Sequence, residues 1–397
     1  MMHRRAGGVS SVWGLVVSVM VMVLITSVRS VPAAEPIKVG LVAALSGQSA
    51  KSGEGITRGL TIAIDEINAR GGVLGRPLTL IRRDDESNPS KGQVAARELI
   101  HQEKVAVLFG GIDSPVSLAI VPVVNKEKIP FMSVWAAATP ITRNGANPNF
   151  VFRVSAVDVL VDNALVQYAA QKYGARRPGM LLINNPWGAS NEKGLTEAIT
   201  GMQLSAAGVE KFEPNDVDMV PQLARLKAAQ ADVLLLVATV APGAQVMKSL
   251  ARLGWSVPVV SHWGISGGRF PELAGAAAQH VDFIQTYSFF GPQSAVGEKV
   301  LAALKAKYPD IKGLGDVTPP VGVANAYDAM QLVALAITKA SSTEGEKIRQ
   351  AFYTIETYEG LIKTYHQPFS PENHDALNEY DYIMVRYVGD QIEPLAK

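Results

Sequence analysis

The residues of this chain whose types and spacing suit chemistry are three tryptophans, an aspartate–serine pair and two glycine–serine segments. Trp135, Trp187 and Trp263 directly follow the short apolar runs 129–134, 180–183 and 257–260, each suited to a buried strand. Trp255 instead precedes such a run. In open α/β sheets, small molecules bind at the loops beyond the carboxyl ends of the strands. Three indoles in that class of loop predict a shared aromatic-walled cleft, able to stack on an aromatic acid or to cage a cation. Asp113 and Ser114 lie beyond a fourth run, 105–109. Pro115 behind them makes Ser114 the expected N-cap of a helix. A negative charge at Asp113 would repel a carboxylate and pair with an ammonium, or the side chain turns away to cap the helix, which is the expectation here.

Two enzyme-like patterns fare less well. Residues 47–52, GQSAKS, approximate a phosphate loop, but Leu45 and Ala50 stand where that motif needs glycine. Residues 264–268, GISGG, satisfy G-x-S-x-G soon after a strand, and Asp282 or Asp328 with His366 or His374 would complete the chain order of a hydrolase. No helix follows Ser266 at once, so a secreted serine hydrolase is the lesser alternative and no catalytic residue is assigned. The histidines have no metal-motif spacing, so no metal and no cofactor is expected.

The elements that must position these loops alternate. Residues 37–41 read as a strand and 46–55 as a Gly/Ser-rich loop. Ile56, Leu60, Ile64 and Ile67 recur at helical spacing, Gly71 and Gly72 suit a helix C-cap, and 78–81 read as a second strand. Helices follow at 92–101, 114–127, 159–172, 191–207, 221–229, 245–253 and 324–340. Strands fall between them at the runs above and at 233–237, with extended runs at 147–154 and 281–290 and a late strand at 380–388. This is the pattern of an α/β fold with parallel sheets.

Residues 37–89 also resemble the opening of the leucine/isoleucine/valine-binding family of periplasmic substrate-binding proteins of ABC transporters. The matching residues are Leu45-Ser46-Gly47, Ile67-Asn68, Gly71-Gly72-Val73-Leu74-Gly75, Asp84-Asp85 and Pro89. The resemblance implies a type I periplasmic binding fold: two Rossmann-like lobes with parallel-sheet cores, joined by three crossings near 150–154, 285–289 and 355–360. Residues 35–152 with about 288–356 would form one lobe, and 153–287 with about 357–397 the other. It further implies a ligand carboxylate at the helix start after Ser114, where free N–H groups and the helix dipole favour an anion.

Trp135, Ala136 and Thr139 match the family's head-group loop, and Trp187-Gly188 its aromatic cover. Thr239 matches a further contact position. At His262-Trp263 the sequence departs from branched-chain binders, which carry a glutamate there for the ligand ammonium. The implied role is a monomeric protein that captures a small molecule and delivers it to an ABC permease. A ligand-sensing domain of the same fold is the alternative.

Composition agrees with export. His3, Arg4 and Arg5 precede the apolar stretch 12–25, and Val31-Pro32-Ala33-Ala34 offers small residues for cleavage, so 1–34 reads as a signal peptide and the location as periplasmic. No later stretch reads as long and apolar enough to cross a membrane. Without 1–34, basic residues fall from 37 to 34 against 36 acidic ones, which leaves no footprint for nucleic acid. The chain has no cysteine, hence no disulfide and no lipidated cysteine.

Overall fold

The apolar runs order themselves into two sheets. The structure, a computed structural model, describes residues 34–395, so the expected signal lies outside the described residues apart from Ala34. The first stretch runs β1 (Ile37–Ala43), α1 (Ala50–Ala69), β2 (Leu78–Asp84), α2 (Pro89–Glu98), β3 (Val107–Gly110), α3 (Ser114–Glu127), β4 (Phe131–Ser133) and β5 (Val151–Arg153). Its strands form one sheet in the order β2-β1-β3-β4-β5, all parallel.

The second stretch runs α4 (Asp158–Tyr173), β6 (Pro178–Ile183), α5 (Pro186–Gly201), β7 (Gly208–Phe212), α6 (Val220–Ala228), β8 (Val233–Val237), α7 (Val240–Leu253), β9 (Val259–Ser261), α8 (Phe270–Ala274) and β10 (Val281–Gln285). The remainder is α9 (Ala295–Lys307), α10 (Pro320–Ala340), α11 (Gly345–Phe352), the hairpin β11 (Thr357–Glu359) and β12 (Thr364–His366), then β13 (Ile383–Val388) and β14 (Gln391–Pro394). The second sheet has the order β14-β13-β10-β9-β8-β6-β7. Its core strands are parallel, and β13 and β14 add antiparallel.

Local chemistry explains the joints. Asn68 clamps the α1–β2 turn, donating to the Leu78 carbonyl at 2.9 Å and accepting the Leu78 N–H at 2.7 Å. Helix α10 returns to pack along α1, where a Cβ at Gly59 would sit 2.3 Å from the Val323 carbonyl oxygen. Only glycine allows that approach. Although α10 has the length and a mean hydropathy of 1.3 that would suit a membrane span, that stretch is 89% buried inside the protein. It is a core helix, which corrects the expectation that no later stretch has such a composition.

Several boundaries differ from expectation for physical reasons. The expected loop 46–55 is largely helix, because α1 begins at Ala50 and its glycines lie against neighbouring backbone. Residues 151–153, expected as a bare crossing, pair with β4 as an edge strand. Strand β7 lies between the expected helices 191–207 and 221–229, where no strand was expected, and pairs with β6. Residues 357–366, overlapping the crossing expected near 355–360, form the hairpin β11–β12, which is stitched to α10. There the Asp328 carboxylate accepts the N–H groups of Leu361 (2.6 Å) and Ile362 (2.9 Å) and the Tyr365 hydroxyl (2.8 Å).

His374-Asp375, in the loop that precedes β13, is buried. Asp375 accepts from Arg153 Nε at 2.7 Å and the Thr142 hydroxyl at 2.8 Å, and the His374 ring stacks on Phe152 at 4.3 Å.

Candidate ligand-binding site

Loops at the carboxyl ends of the parallel strands of both sheets meet around one cavity of about 50 Å³. From the first sheet come Gln48, Ser49 and Ser52 at the start of α1, then Ile112, Asp113, Ser114 and Pro115 after β3, and Trp135 and Ala137 after β4. From the second come Asn185 and Trp187 after β6, Thr239 and Val240 after β8, and Trp263 and Gly264 after β9. The Trp135 and Trp263 rings meet across the gap with centroids 5.6 Å apart and planes inclined by 42°.

Of the residues singled out in the sequence, the fold brings Asp113, Ser114, Trp135, Trp187, Thr239 and Trp263 to this cavity. Three others are not on its wall. Ala136 is buried, and its carbonyl accepts the Ser133 hydroxyl at 3.2 Å. Thr139 joins its loop to α4 and α5: its Oγ1 accepts the Val159 N–H and its own N–H donates to Ser190 Oγ, both at 3.1 Å. His262 is fully buried behind the tryptophans, with Nε2 3.1 Å from Asp158 Oδ1.

Gln48, Ser49, Ser52 and Asn185 went unrecognised as wall residues. The Asn185-Pro186 pair carried a cap signal in the sequence. Asn185 Oδ1 accepts the N–H of Trp187 at 2.9 Å and of Gly188 at 3.0 Å, which seats the indole at the first turn of α5. A Cβ at Gly188 would lie 1.7 Å from the Ile183 carbonyl oxygen, so the Trp-Gly order follows from the tight strand-to-helix turn.

The helix boundary at Asp113 corrects a second expectation. Asp113, not Ser114, occupies the N-cap position of α3, and it makes no side-chain cap bond. Ser114 Oγ instead accepts the Ala138 N–H at 3.2 Å, tying two cleft loops together. The Asp113 Oδ2 is sealed from solvent without a hydrogen-bond partner. Burial raises its pKa against the opposing hydrogen bond from Ser87. Asp85 nearby is also buried, and desolvation pushes its carboxyl up to about 7, with the Asp113 charge adding to the rise.

Ser266 is sealed and its hydroxyl has no partner. The residues that would activate it are engaged elsewhere. His374 pairs with the Val151 carbonyl and the Tyr353 hydroxyl, Asp282 with Tyr168 and Arg386, and Asp328 with the β11–β12 hairpin. His366 lies 3.4 Å from the Thr357 hydroxyl within that hairpin. The G-x-S-x-G pattern is not assembled into a triad.

Two α/β units with parallel-sheet cores, sharing a cavity at the strand ends, define a small-molecule binding protein of the type I periplasmic binding fold. Residues 36–390 match the family described as periplasmic binding protein, and the chain belongs to it. The Leu/Ile/Val-binding protein BraC3 of Rhizobium johnstonii is 25% identical over 327 residues, covering 81% of this chain and 84% of its own. A periplasmic binding protein type 1 of Bordetella pertussis Tohama I superposes with a TM-score of 0.82 at 25% identity, over 91% of this chain and all of that one (100%). A solute-binding protein of an R. palustris ABC transporter, solved with 4-hydroxybenzoate, shares the fold with a TM-score of 0.78 at 20% identity, over 91% and 96% of the two chains.

Proposed function

We propose that the protein is the extracytoplasmic solute-binding component of an ABC importer, and that its ligand is a small carboxylate with an aromatic body. One observation carries the ligand class. The N-terminal ends of α1, α3, α5 and α7 all border the cavity, and no lysine, arginine or histidine is among its lining residues. Helix starts carry a partial positive charge, and those of α3 and α7 have no side-chain cap, so an anion is favoured there without a cationic side chain, whereas at α5 Asn185 already takes the N–H groups of Trp187 and Gly188. Trp135, Trp187 and Trp263 supply faces for a ring. In this reading the two lobes, one around each sheet, close over the ligand by hinge motion at the passages between sheets, and the closed form is what the permease meets. The chain is exported through residues 1–34 and works as an unlipidated monomer.

A second reading has an observation of its own. The unpartnered Asp113 Oδ2 supports an amino acid whose ammonium meets this carboxylate while its own carboxylate meets the helix starts. That ligand class agrees with the Leu/Ile/Val-binding relative.

A thermal-shift screen tests both, using chain lacking residues 1–34 and refolded to strip retained ligand. The probes are benzoate, 4-hydroxybenzoate, leucine and glycine betaine. A ligand at ~100 times its dissociation constant stabilises by about 2.7 kcal/mol, a readable rise in Tm. The expected result is a shift with the two benzoates. A shift with leucine alone favours the second reading, one with glycine betaine alone overturns the aromatic body of the first, and none with any probe overturns both readings.

A further inference from the structure

We propose that Asp158, a residue outside the cavity wall, is the positioning residue of the cleft: its carboxylate and backbone hold all three tryptophan-bearing loops in register. The inference rests on the reading of the cavity as the ligand site. Asp158 opens α4, just past the first passage of the chain between the sheets, and is fully buried. The Trp187 indole N–H donates to Asp158 Oδ1 at 3.2 Å, and His262 Nε2 meets the same oxygen at 3.1 Å. His262 Nδ1 accepts the backbone N–H of Trp263 at 2.8 Å. That bond assigns the tautomer, because an accepting Nδ1 leaves the ring proton on Nε2, where it donates to Asp158.

The backbone N–H of Asp158 donates to the Ala137 carbonyl at 2.9 Å, two residues past Trp135, whose own carbonyl accepts the Ser155 hydroxyl at 2.7 Å. One residue thus reaches Trp187 directly, Trp263 through one imidazole, and the Trp135 loop through one peptide group.

The arrangement has a cost that argues for a purpose. A buried carboxylate loses its hydration and must be held by hydrogen bonds, yet Asp158 Oδ2 has no partner. Asp162, one turn along α4, is also fully buried, and burial with the Asp158 charge pushes its carboxyl well above the usual range. Asp162 is therefore the one of the two that keeps its proton. An apolar residue at 158 would avoid that desolvation but would strand the Trp187 and His262 N–H groups. A cleft whose aromatic walls are locked before ligand arrives spends no binding energy on ordering them.

The test begins without ligand, on the chain lacking residues 1–34 with 15N-labelled tryptophan. The Trp187 indole resonance, assigned by its loss in Trp187→Phe, should exchange with solvent at least ~10-fold more slowly than that of the partly exposed Trp255, as a buried hydrogen-bonded N–H does. Equal rates overturn the lock whatever any variant does. Asp158→Leu should move that resonance and weaken benzoate binding by ~10-fold or more, and Asp158→Asn, which keeps an acceptor oxygen, should restore most of both.

A purely structural role would lower Tm and weaken benzoate and leucine alike. Positioning predicts that the ratio of their affinities changes. A folded Asp158→Leu with unchanged affinity and ratio overturns the proposal. If no probe binds the unaltered chain, the functional reading falls, and the lock is judged on the ligand-free exchange rates alone.

Discussion

The wall that the first sheet gives to the cleft presents short polar groups at helix starts, Ser49, Ser52, Asp113 and Ser114, with Trp135 as its one broad face. The wall from the second sheet presents the faces of Trp187 and Trp263 with Thr239 as a hydroxyl. The two sides also treat buried acid differently. Behind the first wall, burial raises the proton affinity of both Asp85 and Asp113, the Asp113 charge adds to the rise at Asp85, and Asp113 keeps an unpartnered oxygen beside the cavity. Behind the second, Asp158 accepts two N–H groups and faces away from ligand. Under the proposed function the difference amounts to a division of labour: the first wall would meet the head group with its polar helix starts, and the second would cover the body with its indole faces.

Trp263→Ala should break that comparison most severely. The side chain is 1% exposed and packs on Trp135, so its loss leaves a cavity in both the core and the cleft. Stability should fall by about 3–5 kcal/mol in denaturant titration, and binding of whichever probe shifts Tm by ~100-fold. A variant of native stability with intact binding would remove Trp263 from the covering wall.

The acid behind the first wall is tested through pH. The folded protein holds the Asp85 proton up to about 7, whereas an unfolded chain releases it near ~4. The folded state therefore binds more protons than the unfolded one in that window, and this group's contribution makes stability fall as pH rises from ~4 to ~7, then level off. Asp328, with its carboxyl also raised to about 7 by burial, adds the same trend far from the cleft. Asp85→Asn keeps an acceptor for the Ser87 N–H (2.8 Å) and removes the titration. Relative to the unaltered chain, its stability should improve by about 4 kcal/mol between pH 4 and pH 8. Parallel pH–stability curves would show that Asp85 titrates normally.

Trp187→Ala sharpens the second wall. This indole is 7% exposed and lies at the cavity, so affinity for the bound probe should drop ~10-fold by calorimetry. A smaller loss of stability than in Trp263→Ala is expected, because Trp187 sits on a helix start rather than wedged beneath the gap. Unchanged affinity would make it a lid with no ligand contact.

Much of this was legible, and the failures have causes. The βαβ opening, the strand ends carrying the tryptophans and the α3 helix start are short-range features, set by apolar period, proline and glycine. The start of α1 was missed because AKSGEG has no apolar period; its glycines serve contacts with Ala44 and Pro319, which sequence spacing does not report. Strand β7, GVEKF, lies at the sheet edge with Lys211 exposed and only Phe212 buried, so it has too little apolar alternation to read as a strand. His262 was singled out for the wrong surface, since its partner Asp158 is 104 residues away and only folding joins them. The polar wall at Ser49 and Ser52 escaped for the same reason, as ordinary serines near a helix start.

The smallest effect expected is at Asp113, and it decides the most about the ligand. Burial raises the Asp113 pKa above the ordinary carboxylate value, against a hydrogen bond from Ser87 that lowers it. For a bound carboxylate, ionisation adds a like charge beside the anion, so benzoate affinity should fall as pH rises through that titration. Asp113→Asn should bind equally or a few-fold tighter, and without the pH dependence. For an amino acid the sign reverses: ionised Asp113 pairs with the ammonium, affinity rises with pH, and Asp113→Asn weakens it by ~10-fold. Calorimetry of benzoate and leucine on the two proteins at several pH values separates these outcomes. If neither ligand's affinity responds to pH or to the substitution, Asp113 is a buried structural acid and the head group is read by the helix starts alone.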